Sequence, residues 1–202
     1  MKSKVLLNQE EKRKKLLEAA FFLMTKKDLK DISIAELAKE AGVAKGTFYL
    51  YFKDKYELRD LLIQIECEKL FDQAWEALAQ NDIENFEDAV IFVINHVLLR
   101  LEANPVLLNF IKFNLSWGVF KKALGPQLSE NTFLSENRFP ALAEKDGYYF
   151  EDPSLIFFII LEMTGSVCYN CIVNGYPTTM KVMKPYLYSS IRAVLKQGKQ
   201  KQ

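Results

Sequence analysis

Ser33-Ile34-Ala35-Glu36-Leu37-Ala38-Lys39-Glu40-Ala41-Gly42-Val43-Ala44-Lys45-Gly46-Thr47-Phe48-Tyr49-Leu50-Tyr51-Phe52 predicts two short helices around a tight turn. Ser33 suits the N-cap of the first, and Glu36 three residues on completes a capping box. Ile34, Leu37, Ala38 and Ala41 recur at helical spacing and give that helix one closely packable apolar face. Gly42 follows where a left-handed residue lets the chain leave the helix without a Cβ penalty. Val43 can then plug the gap between the helices. In the second helix Phe48 and Phe52, four apart, supply the inward face and leave Lys45, Gly46, Thr47, Tyr49 and Tyr51 outside. Such an arrangement is a helix-turn-helix able to lie in a DNA major groove.

The segment resembles the DNA-binding region of TetR-family transcriptional repressors, whose core runs I-A-x-x-A-G-V-x-x-G-T-x-Y-x-x-F and is followed by a lysine. Leu37, Ala38, Ala41, Gly42, Val43, Gly46, Thr47, Tyr49, Phe52 and Lys55 supply that order here, and Leu16-Leu17-Glu18-Ala19-Ala20 with Leu23-Met24 resembles the family's first helix. The resemblance covers roughly residues 12 to 62. Two departures stand out. Asp28 occupies a place where the family usually has glycine, so that turn is expected to differ. Ala44 stands where a serine often caps the recognition helix, which removes a side-chain cap.

Composition sets the frame. The chain has 202 residues, half of them apolar, with 15 Phe, enough for a sizeable core. The formal charge of +1 hides an asymmetry: residues 1–60 carry 14 Lys and Arg against 10 Asp and Glu, the remainder 13 against 16. A basic N-terminal segment beside an acidic remainder fits a nucleic-acid-binding head on a body that does not touch phosphates. Met1 to Leu7 lacks the apolar core and cleavage site of a signal peptide. The apolar run Leu155 to Leu161 is interrupted by Glu162 and is too short to span a bilayer. A soluble, cytoplasmic protein without membrane partners is therefore expected.

The fold expected is all-α in two domains: residues 1–54 as a three-helix DNA-binding head, residues 55–202 as a helical ligand-binding and dimerisation body. Helices are predicted over Lys12 to Lys26, Lys55 to Ala79 (capped by Asp54), Glu84 to Ala103, Pro105 to Leu124, Pro153 to Val173, and from near Pro185 to Gln197. Between Gly125 and Asp152 the pattern weakens, with one short helix around Gln127 to Glu136. Lys12, Arg13, Lys14 and Lys15 open the first helix either as a solvated face or as phosphate contacts.

Lys45, Gly46 and Thr47 with Tyr49, Leu50 and Tyr51 are the residues placed to meet DNA, and Ser33 at the preceding helix's N-cap joins them. The family resemblance implies that Tyr49, Tyr51 and Lys55 clamp the DNA backbone. Leu50 can offer only apolar contact, such as with a thymine methyl. For a small molecule, Phe110, Phe113, Asn114, Trp117 and Phe120 fall on one helical face as an aromatic lining with a polar handle, or as ordinary core. Glu162 lies on an apolar helix near Phe158, Gly165, Ser166 and Tyr169. It can meet a cationic ligand, pair with Arg100 or Lys112, or reach solvent.

Cys168 and Cys171 form a C-x-x-C late in an apolar helix, where no helix N-terminus stabilises a thiolate. Buried small side chains are the plainer reading. A metal- or thiol-responsive regulator using Cys67, Cys168 and Cys171 is the alternative, and a protein-interaction module with a non-functional head is another. Phosphate-binding glycine loop, nucleophile elbow and paired metal motif are all missing, so neither enzyme activity nor a cofactor is expected. Pro153–Val173 and Pro185–Gln197 are apolar on more than one stripe and call for a second copy as cover. These residues together predict a homodimeric repressor that binds a palindromic double-stranded operator and leaves it when a small, largely apolar effector enters the body.

Overall fold

The computed structural model describes residues 4–83, 85–114 and 138–198, with side chains described for 8–83, 85–112 and 141–198. The described residues are helical, with no strand among them. The chain divides into two compact units, Met1–Ile65 and Glu66–Gln202. The sequence boundary at residue 54 marks the start of a helix, Lys55–Ala79, within which the two units part.

The first unit holds α1 (Lys4–Met24), a 3-10 turn (Leu29–Asp31), α2 (Ile34–Glu40), α3 (Lys45–Phe48) and the start of α4 (Lys55–Ala79). α1 begins well before Lys12, so its four basic residues lie inside the helix and meet no penalty from the helix dipole. Lys14 and Lys15 pair along the helix with Glu18 and Glu11, at 3.7 and 2.7 Å. Leu16, Ala19, Ala20 and Leu23 are buried on one stripe, against which α2 packs Leu37 and Ala38. Asp28 takes an extended conformation, φ −60° and ψ 142°, so the turn after α1 needs no left-handed residue.

The second unit contains the rest of α4, then α5 (Phe86–Ala103), α6 (Pro105–Asn114), α7 (Arg138–Lys145), α8 (Pro153–Ile172) and α9 (Met180–Leu195). Asn85 caps α5 by accepting the Asp88 N–H at 2.8 Å, and Asp152 caps α8 by accepting from Ser154 and Leu155. α8 packs on α6 and α9, and α5 packs on α6, α7 and α9. Lys184 on α9 meets Glu102 on α5 at 2.7 Å, and the Tyr188 hydroxyl donates to Asn95 at 2.7 Å. Arg192 reaches Glu87 and Asp88 at the start of α5, where the Tyr148 hydroxyl also donates to Glu87.

Three sequence expectations change here. α7 arises in the stretch between Gly125 and Asp152 where the pattern weakens: Pro140 sits in the first turn, where its missing N–H leaves no helical bond unmade. α9 starts at Met180, not near Pro185. Thr179 accepts the Val182 and Met183 N–H groups, and the carbonyl that Pro185 leaves unpartnered belongs to exposed Lys181. The run Leu155 to Leu161 is by itself too short to span a bilayer, but α8 as a whole, running through Glu162 as the sequence predicts, is long and apolar enough to cross a membrane by length and composition alone. The short helix expected around Gln127 to Glu136, and the part of the Pro105 helix beyond Asn114, lie outside the described residues.

Gly198 marks how tightly the second unit closes. Its carbonyl accepts the Tyr149 N–H at 2.7 Å, and a Cβ there would meet the Phe150 ring at 2.2 Å. Phe150 is itself held against Phe86 and Tyr148. Gly198→Ala is expected to destabilise this unit by about 1–2 kcal/mol through overpacking, measured as a loss in chemical denaturation.

Candidate nucleic-acid interface and ligand cavity

The turn of the head is built by backbone hydrogen bonds. Gly42, at φ +65°, donates to the Lys39 carbonyl at 3.1 Å, and Val43 donates to Ala38 at 2.9 Å. These are the two bonds of a Schellman cap, and they close α2 while turning the chain into α3. Nothing approaches a Cβ built on Gly42, so the backbone angle, not space, calls for glycine.

At the start of α2, Ser33 Oγ accepts the Glu36 N–H at 3.1 Å. The returning half of the capping box is absent, because the Glu36 carboxylate pairs with Lys27. That hydrogen bond holds the Glu36 carboxyl below its usual range. With its oxygen engaged as an acceptor, the exposed Ser33 hydroxyl keeps its hydrogen to donate.

α3 is braced from behind. Phe48 is fully buried and Phe52 nearly so, with ring centroids 5.7 Å apart. Phe48 also meets the Tyr49 ring edge-on at 5.5 Å. Helical turns continue beyond Phe48, since Tyr51 and Phe52 both donate to its carbonyl at 3.0 Å. The opposite side is open. Tyr49 is 53% exposed and Leu50 79%, with Lys45 and Gly46 also exposed and Thr47 and Tyr51 half-buried. Ala44 takes the N-cap position with no side-chain bond, as its identity dictates. Ala44→Ser is expected to stabilise the head by about 1 kcal/mol, read from denaturation of the variant.

Lys55 behaves differently from the expectation drawn for it. Its ammonium donates to the carbonyls of Leu29, Lys30 and Ile32 at 2.7, 3.0 and 2.8 Å. An ammonium has three donors, and all three are used on the turn between α1 and α2. The side chain is thus a tie across the head. At the same place Asp54 caps α4, its carboxylate accepting from Tyr56 and Glu57 at 2.8 and 2.9 Å. Those bonds, Glu57's first, hold the Asp54 carboxyl below its usual range.

The second unit contains an apolar cavity of about 120 Å³ between residues of α4, α5, α6 and α8. Cys67, Leu70 and Phe71 line it from α4, Val97 and Leu101 from α5, and Leu108, Ile111 and Lys112 from α6. Leu161, Glu162, Thr164, Gly165 and Cys168 line it from α8. A second cavity of about 50 Å³ shares Phe71, Val97, Leu161 and Thr164 with the first and is otherwise walled by Val90, Ile94, Phe157 and Ile160. Among the described residues polar side chains are few: Lys112 and Glu162 are exposed, and the Thr164 hydroxyl is buried.

Of the predicted ligand residues whose side chains are described, Glu162 lines the larger cavity, Phe110 is buried outside its described walls, and Tyr169 is half-buried and outside the described walls of both. The side chains of Phe113 and Asn114, together with Trp117 and Phe120, lie outside the described residues. The residues missed come from helices far apart in sequence, and their apolar identities carry no signal beyond ordinary core.

All three cysteines are free and buried. Burial pushes the Cys67 and Cys168 thiols up to about 12, so both stay protonated and poorly nucleophilic at neutral pH.

The sequence profile of bacterial regulatory proteins, tetR family, matches residues 16–62. Among curated proteins, an uncharacterized HTH-type transcriptional regulator of Bacillus subtilis, YvdT, is 47% identical over 47 residues, 23% of this chain and 24% of that protein. The chain spans between about a quarter and 60% of the length of the curated relatives it matches. Among solved structures, the fatty acid degradation regulator FadR of Bacillus halodurans aligns over 91% of this chain and 94% of its own, with a TM-score of 0.64 and 20% identity. FadR of Bacillus subtilis, solved in complex with stearoyl-CoA, aligns over 88% and 96% with a TM-score of 0.64 and 15% identity. At such identities the likeness is one of fold.

Proposed function

We propose, for a chain that belongs to the tetR family of bacterial regulatory proteins, that it represses transcription by binding a palindromic operator as a homodimer and leaves it when a largely apolar effector fills the body cavity. Residues 1–54 bind DNA and residues 55–202 hold the effector and the partner. One observation carries the DNA-binding part: Tyr49 and Leu50 stand out from a helix whose other side is anchored by buried Phe48 and Phe52. Lys45 and Thr47 enter at the start of that helix to meet base edges, and Gly46 leaves room for the duplex to approach. Tyr49, Tyr51 and the Ser33 hydroxyl hold phosphates. Lys55 contributes by fixing the turn behind them.

The dimer reading rests on α8 and α9. Leu155 and Ile159 of α8 and Val182 and Tyr186 of α9 are exposed large apolar side chains, and only 17% of the most apolar stretch of α8 is buried within one chain. A second copy, meeting the same surface about a two-fold axis, removes that stripe from water and sets two recognition helices on successive half-sites. The effector reading rests on the cavity's apolar lining and sparse polar groups. Stearoyl-CoA, bound by the Bacillus subtilis FadR, carries the kind of apolar chain such a lining accepts. Any effector must bind the DNA-competent and released arrangements unequally to act.

Tyr49→Ala and Leu50→Ala test the interface. Both side chains are more than half exposed, so thermal stability should stay within a degree or two of wild type while operator affinity falls about tenfold or more in fluorescence anisotropy. Unchanged affinity for both variants removes the assignment.

A further inference from the structure

We infer that Lys53 is the cation that holds the DNA backbone beside the recognition helix, taking the phosphate that the family resemblance gave to Lys55. The inference rests on the DNA-binding reading above and adds a residue to it. After α3 the chain passes through Tyr51, Phe52, Lys53 and Asp54 before α4 begins at Lys55. Three cations stand in this turn and the first turns of α4: Lys53, Lys55 and Arg59. The Lys55 ammonium is engaged by the carbonyls of Leu29, Lys30 and Ile32. Arg59 donates from Nε and Nη2 to Asp60, at 2.9 and 2.5 Å. Lys53 is exposed, and its ammonium has neither a carboxylate nor a carbonyl partner among the described residues.

The local geometry suits an anion. The Lys53 N–H donates to Glu57 Oε2 at 2.5 Å, so the backbone is fixed at the residue whose side chain stays free. Both carboxylates of this turn are directed onto backbone N–H groups: Glu57 onto Lys53, and Asp54 onto Tyr56 and Glu57 at 2.8 and 2.9 Å. Those bonds offset part of the negative charge that each would present to a phosphate. They also occupy the Tyr56 and Glu57 N–H groups, which are then not open to a phosphate at the N-terminus of α4. Elsewhere in the head Lys27 pairs with Glu36, Lys30 with Asp28, and Lys26 lies over the Phe22 ring. Lys45 at the start of α3 and Lys53 just beyond its end therefore bracket the exposed Tyr49 and Leu50 with two unpaired ammonium groups. A lysine in such a place meets a phosphate as a point charge and carries no sequence information.

The test compares the full-length wild type with Lys53→Gln, Lys53→Arg and Lys145→Gln, the last removing the same charge from the exposed end of α7 in the second unit. Binding to a duplex from the protein's own promoter region and to one of unrelated sequence is read by fluorescence anisotropy between 50 and 200 mM salt. Each phosphate neutralised adds about 0.9 to the slope of log affinity against log salt. Lys53→Gln should lower that slope by about one, so its deficit against wild type shrinks about fourfold across this range. At any one salt concentration the deficit should be the same for both duplexes, because a phosphate contact is blind to sequence. Lys53→Arg and Lys145→Gln should keep the wild-type slope, and Lys53→Gln should melt within a degree or two of wild type. A wild-type slope for Lys53→Gln, or an equal drop for Lys145→Gln, overturns the inference and leaves the DNA-binding reading in place. A deficit confined to the promoter duplex overturns it as base readout, and a lowered melting temperature overturns it as a structural role. A wild type that binds neither duplex overturns the inference and the reading beneath it together.

Discussion

Phe48→Ala is expected to destabilise the head by about 3–5 kcal/mol, the range for removing a fully buried phenyl ring. The ring has no exposed surface, lies against Phe52, and sits behind the exposed side chains of Tyr49 and Leu50. α3 spans only four residues, too few to hold a helix by its own backbone bonds. Its position therefore depends on tertiary packing, and Phe48 is the largest part of that packing. Losing the ring leaves a cavity that α1 and α2 cannot collapse into without moving their own buried leucines. Chemical denaturation of the variant should show the loss, and operator binding should disappear with it. A change below about 1 kcal/mol would mean that α3 is held by something other than this ring.

Lys55→Met should cost about 3 kcal/mol of stability, the second large effect. The ammonium makes three hydrogen bonds to carbonyls of one turn, and bonds to charged groups contribute about 1.5–3 kcal/mol each before water partly replaces them. The Leu29 and Ile32 carbonyls are reached in part-buried surroundings, so replacement by water is incomplete. Lys55→Arg should recover little, because a planar fork cannot point three donors at one cluster as an ammonium does. A phosphate clamp would behave otherwise. Its removal would leave the melting temperature alone and lower the slope of log affinity against log salt by about one. Denaturation and a salt titration on the same variant separate the two.

Much of the head is legible in the sequence because its signals are local. Ser33 caps α2, Gly42 takes the left-handed turn, and Phe48 and Phe52 face inward, each predictable from residues within one or two turns. Where a second element decides, sequence reading falls short. Glu36 bonds Lys27 across nine residues in place of the Ser33 backbone, and Lys55 reaches back to a turn more than twenty residues away. Proline misleads at α9, since Pro185 lies inside a helix whose other bonds tolerate it. The cavity is the least legible part. It is assembled from four helices, and a leucine lining a cavity looks in sequence like a leucine filling a core. Glu162 could be picked out because a carboxylate on an apolar helix is chemically conspicuous, whereas Thr164, two residues on, could not.

Operator binding by the purified wild-type protein is the most direct test of the whole account. Fluorescence anisotropy with duplexes drawn from its own promoter region, at 50 and 200 mM salt, should give saturable binding that competitor DNA of unrelated sequence does not displace. Affinity should fall about 10³-fold or more between the two conditions, as neutralising six or more phosphates requires. Binding that is absent at 50 mM salt, or equally strong for every duplex offered, would contradict it.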